Sequence, residues 1–437
     1  MTKHNRQIRP TAVFLLSLGC SKNTVDSERL MAQAVAGGLT FTDQADQADI
    51  IIINTCGFIL DAKEESINET LAAIGKKEEG IVREVYMMGC LVELYRKELK
   101  EEMPEIDGFF GTRQLPELLA AIGARYRHEL YDNRCLLTPP HHAWLKISEG
   151  CNRHCSFCSI PKIRGPYVSQ PIEQLLSEAA LLHGAGVREL NVIAQDISLY
   201  GYDLYGKSML NELVLRLSDM DFQWIRLLYA YPLNFPLEVI DTMRRRDNIC
   251  NYLDMPLQHI NERILRSMKR GVGRQETVEL ISGIRDRNPE IRLRTTMLVG
   301  YPGETRQEFE ELLEFVSQTR FDRLGCFPYR HEEHAPSFEL EDTVGDEEKE
   351  ARVGELMELQ EGIAAANNRK LEGKRLKTVI DTVEGNTAFG RTEFDAPEVD
   401  NDVIITLGEH QVSPGDFCYV QINDTTPHEL HGLIVSG

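Results

Sequence analysis

Positive charge is scarce in this chain. Its 437 residues carry 48 Lys and Arg against 69 Asp and Glu, a net charge of −21. Phosphate is repelled by such a surface before any specific contact forms, which argues against nucleic acid as a general partner. No apolar run approaches the roughly 18 residues a membrane span requires, so no membrane partner is expected. Repeats at the periods of solenoid proteins are missing too. The composition, 42% hydrophobic and 27% charged, excludes a disordered chain. The length suits two or three domains with real cores.

A complete export signal is also lacking. Lys3, Arg6 and Arg9 precede Ala12–Cys20 in a way that superficially resembles a lipoprotein signal. The apolar stretch from Ala12 to Gly19 is short for that purpose, and Ser17 and Leu18 are in the wrong order for a small-residue cleavage site. It reads instead as a buried first strand. A cytoplasmic, soluble protein is the expectation, and in a reducing compartment ten cysteines point to metal binding or catalysis rather than disulfides.

What is present divides into three regions, 10–135, 136–371 and 372–437. In the first, Val13–Leu18, Ile50–Ile53 and Val85–Met88 read as buried parallel strands. Between them Ser27–Ala36, Ala62–Ile74 and Val92–Glu102 have helical periodicity, which predicts a doubly wound α/β domain. In the second, strands at Trp144–Ser148, Glu189–Ile193, Ile225–Ala230, Tyr252–Pro256, Leu293–Val299 and Arg323–Phe327 alternate with helices. Those helices lie at Pro171–Ala185, Leu210–Leu217, Leu237–Arg245, Glu276–Arg287 and Glu308–Thr319. Six strands in this order predict a full or partial (β/α) barrel with its chemistry at the strand C-terminal ends. Asp346–Lys374 reads as a charged helical connector with a solvated glutamate face. Beyond it, five short strands from Lys377 to Val435 predict a small all-β barrel.

The strongest chemical signal is Cys151-Asn-Arg-His-Cys155-Ser-Phe-Cys158, a C-x₃-C-x₂-C loop directly after the first barrel strand. A four-iron cubane normally takes four thiolates, and three on one loop leave an iron open. An open iron can chelate the amino and carboxylate groups of S-adenosylmethionine and pass an electron to its sulfonium. The alternative is a structural zinc site with His154 as fourth ligand. Cys20, Cys56 and Cys90, spaced by 36 and 34 residues, each lie just past a strand of the first region, at the sheet edge where ligands bind. They suggest a second cluster with three protein ligands, the alternative being structural thiols. Cys135, Cys250, Cys326 and Cys418 lie outside both sets and read as structural.

The loop from Cys151 to Cys158 resembles the signature of radical S-adenosylmethionine enzymes. The resemblance implies that Phe157 packs near the adenine and that Gly300-Tyr-Pro-Gly-Glu-Thr305 helps hold the cofactor, through Gly300, Pro302, Gly303 and Glu304. By composition that segment is only a strand-to-helix turn with Thr305 as N-cap. Gln195 and Asp196, at the end of the second barrel strand, could reach the cofactor's methionine or ribose, although strand ends are often polar for capping alone. Two three-cysteine sets followed by a small β-barrel, TRAM-like or OB-like, resemble the methylthiotransferase family along nearly the whole chain. That resemblance implies two 4Fe–4S clusters. One S-adenosylmethionine gives a methyl group to sulfide or persulfide sulfur at the auxiliary cluster; a second yields a 5′-deoxyadenosyl radical that abstracts hydrogen from the substrate carbon. Cys151, Cys155 and Cys158 would generate the radical and Cys20, Cys56 and Cys90 would serve sulfur donation. A low-potential electron donor such as flavodoxin or ferredoxin would be required.

Substrates in the family are an adenosine of transfer RNA or an aspartate of a ribosomal protein. From Glu372 to Gly437, twelve acidic residues stand against four basic ones. A barrel gripping RNA needs a basic face and exposed aromatics, whereas a basic ribosomal protein would be steered toward this acidic one. Acidity that merely aids solubility is the plain alternative. Ser17-Leu-Gly-Cys-Ser-Lys-Asn23, Asn54-Thr-Cys-Gly-Phe58, Ile160-Pro-Lys-Ile-Arg-Gly165, Ala194-Gln-Asp196 and Asp395-Ala-Pro-Glu-Val-Asp400 resemble the ribosomal-protein branch. This implies β-methylthiolation of one aspartate in the small-subunit protein S-twelve. Arg330-His-Glu-Glu-His-Ala335 departs from the family wording, and His331 and His334 read as surface residues of a variant loop.

Overall fold

A computed structural model describes Pro10–Val435, so Lys3, Arg6 and Arg9 of the export-like segment lie outside the described residues. The chain forms two compact units, one running to Leu137 and including Ser159–Pro166, the other comprising Thr138–Cys158 and the chain from Tyr167 onward.

The first unit is built on strands β1 (Ala12–Ser17), β2 (Thr40–Phe41), β3 (Ile50–Thr55), β4 (Glu84–Gly89) and β5 (Gly108–Phe110), all parallel in the order β2-β1-β3-β4-β5. Helices α1 (Ser21–Ala36), α2 (Leu60–Glu78), α3 (Cys90–Glu102) and α4 (Leu115–Ala121) cover it. The run Ile50–Ile53 shows why: its members alternate between two cores. Ile51 and Ile53 pack with Val85, Met87, Leu91 and Val92, and Ile50 and Ile52 with Val13, Leu30, Tyr86 and Leu118. A strand buried on both faces has no polar side, hence the continuous apolar run. The segment Ala12–Ser17 is thus a strand inside the sheet, with Val13 buried and its other residues only partly so, less buried than its apolar composition predicts. Strand order reverses between β1 and β3, and such reversals open the crevice where doubly wound sheets bind ligands. A fifth helix, α5 (Ile160–Arg164), folds with this unit: Thr112 Oγ1 donates to the Ile163 carbonyl at 2.9 Å, and Arg113 donates to the Arg164 carbonyl.

The second unit opens with β6 (His142–Lys146), followed by a small ribbon of β7 (Ser148–Glu149) and β8 (Val168–Ser169). Then come β9 (Glu189–Ile193), β10 (Trp224–Leu227), β11 (Ile249–Asp254), β12 (Arg292–Val299) and β13 (Arg323–Pro328). The six main strands pair in the order β13-β12-β11-β10-β9-β6, all parallel, with β6 and β13 as edges, so the barrel is partial. Helices α6 (Ile172–Gly184), α7 (Tyr202–Tyr205), α8 (Leu210–Ser218), α9 (Glu238–Arg245), α10 (Glu262–Ser267), α11 (Arg274–Arg287) and α12 (Arg306–Thr319) fill the crossovers. The connector α13 (Asp346–Arg369) is more than a solvated spacer. It buries Leu356, Ile363 and Ala364 and lies along the edge strand β13, where it protects open backbone groups. Strands β14 (Arg375–Glu384), β15 (Thr387–Thr392), β16 (Asp402–Thr406), β17 (Phe417–Thr425) and β18 (Glu429–Val435) close into a barrel.

Buried charge joins this small barrel to the larger one. Glu189, fully buried, receives Arg226 Nε at 3.1 Å and both terminal nitrogens of Arg391 at 3.1 and 2.8 Å. Arg391 also meets Asp381, which His141 faces at 2.8 Å. Arg294 bridges Asp254 and Asp400, and Arg323 pairs with Asp395. Asp381, Asp395 and Asp400 belong to the acidic C-terminal region, so part of its charge is neutralised inside the molecule. Burial alone would raise the Glu189 carboxyl, but Arg391 and Arg226 outweigh it and bring the pKa down to about 2 from an ordinary 4.5. The carboxylate's contribution to stability is therefore complete above pH 4.5 and is lost as pH falls from there toward 2. Removing one member of a buried ion network leaves the others uncompensated. Glu189→Gln is expected to destabilise this unit by about 3–5 kcal/mol, read as a lowered urea midpoint at pH 7, with a smaller difference from the parent near pH 3.

Candidate metal centres

In the first unit three sheet-end turns carry Cys20, Cys56 and Cys90. Cys20 is the N-cap of α1, Cys56 follows β3 directly, and Cys90 opens α3. Cys20 is exposed, whereas Cys56 and Cys90 are buried. The turns press against each other. A Cβ on Gly19 (φ +90°) would sit 2.8 Å from Cys56 Cβ and 3.1 Å from its Sγ, and one on Gly89 (φ +102°) would meet Asn54 Oδ1 at 2.5 Å and the Thr55 carbonyl at 2.6 Å. Asn23 fastens two of them, its Nδ2 donating to the carbonyls of Leu18 and Thr55, both at 3.0 Å. Ser66 Oγ holds the Cys56 turn, accepting from the Cys56 amide at 3.1 Å while its own proton goes to the Ala62 carbonyl at 2.7 Å.

Arg164, 1% exposed, enters this cradle from α5. Its Nη2 donates to Asn23 Oδ1 and, at 3.6 Å, to Cys90 Sγ, while Nη1 pairs with Asp26 at 2.6 Å. Burial pushes the Cys90 thiol up to about 12; Arg164 opposes this, and the neighbouring Cys20 and Cys56 add to it. The Cys56 thiol is raised as well, again chiefly by burial and in part by Cys20. Both buried thiols are thus held in their protonated form, and binding a metal here must expel protons.

The second set follows β6. Cys155 is buried, and its sulfur is met by Arg270 Nη1 at 3.3 Å and the Tyr231 hydroxyl at 3.4 Å. Cys151 Sγ accepts from the Arg153 amide at 3.3 Å, and burial raises its thiol to about 11. The guanidinium groups of Arg153 and Arg270 both stack on the Tyr231 ring, 4.2 and 4.1 Å from its centre, giving the loop a cationic wall. Arg153 Nε pairs with Asp196 at 2.8 Å, and Asp196 caps the next turn by accepting from the Ser198 amide at 2.8 Å. Burial raises the Asp196 carboxyl, with Arg153 opposing. Asp196 is therefore committed to the cysteine loop, while its neighbour Gln195 is half-buried. Phe157 packs on a cluster of Ile264, Met268, Tyr301 and Tyr329.

Gly300–Thr305 forms the turn after β12, and α13 clamps it. A Cβ on Gly300 would lie 2.3 Å from Lys349 Cγ. Glu304 accepts from Arg352 Nη1 at 2.9 Å and from the Tyr301 amide at 3.1 Å. Pro302 is buried, the Gly303 amide donates to Thr343 Oγ1 at 3.0 Å, and Thr305 is the N-cap of α12 in a full capping box. The turn is also tied to the cysteine loop, since the Tyr301 hydroxyl lies 2.8 Å from Ser156 Oγ.

Among the described residues no three or more His, Cys, Asp or Glu side chains converge tightly enough for a single metal ion. His154 is exposed. In a cubane each iron takes its own sulfur ligand, so thiols on separate turns can serve one cluster without converging on a single point. In the variant loop His331 stacks on Phe338 with ring centres 4.5 Å apart, and His334 lies 3.6 Å from Glu333. Cys250, Cys326 and Cys418 lie within strands β11, β13 and β17, and Cys135 donates its amide to the Glu28 carbonyl.

Sequence reasoning left Asn23, Arg164, Arg153, Tyr231 and Arg270 without a role. Asn23, Arg164 and Arg153 lie within the quoted motifs, so proximity to cysteines was a usable signal. Tyr231 and Arg270 lie 76 and 115 residues beyond Cys155 and carried none.

Three family models match the chain: the Radical SAM superfamily over residues 145–316, the Uncharacterized protein family UPF0004 over 12–111, and the TRAM domain over 373–435. The chain is 76% identical to the "Ribosomal protein uS12 methylthiotransferase RimO" of Chlorobaculum tepidum, covering 99% of this chain and all of the relative. It is likewise 76% identical to the protein of that name from Chlorobaculum parvum, covering 98% of each. Among solved structures, the radical S-adenosylmethionine methyltransferase TsrM from Kitasatospora setae, with cobalamin and a [4Fe–4S] cluster bound, aligns with a TM-score of 0.55 at 14% identity. That match covers 75% of this chain and 77% of the other, and shows a shared fold.

The positive φ and close packing at Gly89 yield a test. Gly89→Ala places a methyl group on Asn54 and Thr55 and displaces the adjoining Cys90. The expected outcome is a stable chain that loses iron from one cluster while the Cys151–Cys158 loop keeps its own, measured as iron and sulfide per chain after anaerobic reconstitution.

Proposed function

This chain belongs to the ribosomal protein uS12 methylthiotransferase (RimO) family, and from that premise we infer that it methylthiolates the β-carbon of one aspartate in uS12 by radical chemistry with S-adenosylmethionine. The observation that carries the reading is the pair of thiol triads, each at the C-terminal edge of a parallel sheet, in a chain matched end to end by relatives of that name. An adenosine substrate and a zinc scaffold find no support beside it.

Cys151, Cys155 and Cys158 would hold one 4Fe–4S cluster and Cys20, Cys56 and Cys90 the other. When bound, the first supplies the electron that cleaves S-adenosylmethionine, and the second presents the sulfur to be transferred. The chain's own groups set the conditions. Arg270 Nη1 donates to Cys155 Sγ and sets a cation beside that sulfur, while the Tyr231 hydroxyl, which gives its proton to the Arg270 carbonyl at 2.7 Å, holds Arg270 in place. Arg153, fixed by Asp196, adds positive charge beside an anionic cluster. Phe157 offers an apolar surface to the adenine, and Gln195 is free to reach the cofactor's polar groups. From the turn at Gly300, Pro302, Gly303 and Glu304 the backbone is what meets the cofactor, since the Glu304 carboxylate is held by Arg352 and the Tyr301 amide.

The small barrel supports the choice of a basic protein substrate. With Asp381, Asp395 and Asp400 paired internally, Glu372, Glu384, Glu398, Asp402, Glu409, Asp416 and Asp424 remain exposed against only Lys374 and Arg375. Such a surface steers a basic ribosomal protein and repels RNA. The sulfur source is sulfide or persulfide, and the reductant is a low-potential protein such as flavodoxin or ferredoxin. A ribosomal substrate places the reaction in the cytoplasm, and no helix among the described residues is long and apolar enough to cross a membrane.

Separating the two triads tests the reading. Under reducing, anaerobic conditions Cys158→Ala is expected to abolish both cleavage of S-adenosylmethionine and modification of uS12. Cys56→Ala is expected to go on releasing 5′-deoxyadenosine while forming no methylthiolated uS12. Cleavage retained by Cys158→Ala, or full product from Cys56→Ala, contradicts the assignment.

A further inference from the structure

We propose that Arg164 is the charge-compensating, positioning residue of the auxiliary cluster, supplied by the stretch of chain that leaves the radical-generating loop. The inference rests on the assignment of Cys20, Cys56 and Cys90 as cluster ligands. Arg164 follows Cys158 by six residues, yet Ser159–Pro166 folds with the unit that carries the other triad.

The guanidinium is 1% exposed, a burial that an arginine sustains only with partners on every side. Asp26 takes Nη1 at 2.6 Å. Nη2 is turned the other way, to Asn23 Oδ1 and to Cys90 Sγ at 3.6 Å. Asn23 is the residue that clamps the turns after β1 and β3, so one cation holds the clamp and touches the ligand of the third turn. The backbone is fixed as well, through the bonds that Thr112 and Arg113 make to the carbonyls of Ile163 and Arg164.

Three thiolates and bridging sulfides give the auxiliary site net negative charge, which deepens on one-electron reduction. A buried cation beside one thiolate stabilises the reduced state more than the oxidised one and so raises the reduction potential. Partners of this kind around metal ligands also govern retention of the metal, commonly by 10–100-fold in affinity.

The test uses the full-length protein with Cys151, Cys155 and Cys158 each changed to Ala, so that only the auxiliary site takes up iron. Arg164→Met and Arg164→Lys are compared with this parent by iron content, electron paramagnetic resonance of the reduced cluster, and redox titration. Arg164→Met is expected to lower the potential and to lose iron to a chelator about tenfold faster. Arg164→Lys, which keeps the charge without the two-pronged geometry, is expected to recover the potential in large part and retention only partly. Potentials and retention equal to the parent's in both variants would overturn the proposal. A parent that takes up no iron would overturn the ligand assignment itself, and the proposal with it.

Discussion

An iron–sulfur cluster with an open iron needs three thiolates held firmly in place, since no fourth protein ligand is there to correct an error. On the proposed assignment, much of the chain's architecture serves that requirement. Parallel strands end at one edge of a sheet, and a turn placed after each end brings residues distant in sequence into one small volume. Cys20 and Cys56 flank the reversal of strand order in this way, and Cys90 lies at the end of the next strand, one cysteine per βα step. Cys151, Cys155 and Cys158 use the other solution, a single loop after β6 stiffened by neighbouring strand ends. Gly19 and Gly89 combine a positive φ with an approach too close for a side chain, and Asn23 ties the turns after β1 and β3 together through the Leu18 and Thr55 carbonyls.

The opposite ends of the larger barrel's strands do different work. There the polar residues form the ion network of Glu189, Arg226 and Arg391, with Arg294 and Arg323 paired to acids of the small barrel. These contacts fix the small barrel onto the strand starts and remove several carboxylates from the exposed surface. What remains outside is still strongly acidic, so attraction for a basic partner survives, carried by fewer residues than a count along the sequence suggests. Chemistry at one end and attachment at the other is the usual division in βα barrels.

Much of this was legible from the chain. Buried parallel strands announce themselves as short apolar runs, and Ile50–Ile53 is the clearest; cysteines just beyond such runs are placed at a sheet edge by pattern alone. Strands β2 and β5, of two and three residues, are too short to show periodicity, and α10 is a helix of six residues. The connector α13 reads as charged with a solvated glutamate face, while its buried face, Lys349, Arg352, Leu356, Gln360, Ile363, Ala364, Asn367 and Asn368, is too polar to stand out as an apolar stripe. The partners Tyr231 and Arg270, and the folding of α5 with the first unit, depend on contacts between residues tens of positions apart. No local pattern encodes such contacts. The acids at 381, 395 and 400 were visible, but not their arginine partners.

The central claim is that two thiolate triads act together to place a methylthio group on a ribosomal protein. Intact and peptide mass spectrometry of small-subunit ribosomal proteins, from cells with and without the gene for this chain, tests it most directly. The account predicts that uS12 loses one methylthio group from a single aspartate when the gene is absent. Unchanged uS12 together with a missing methylthioadenosine in digested transfer RNA would contradict it.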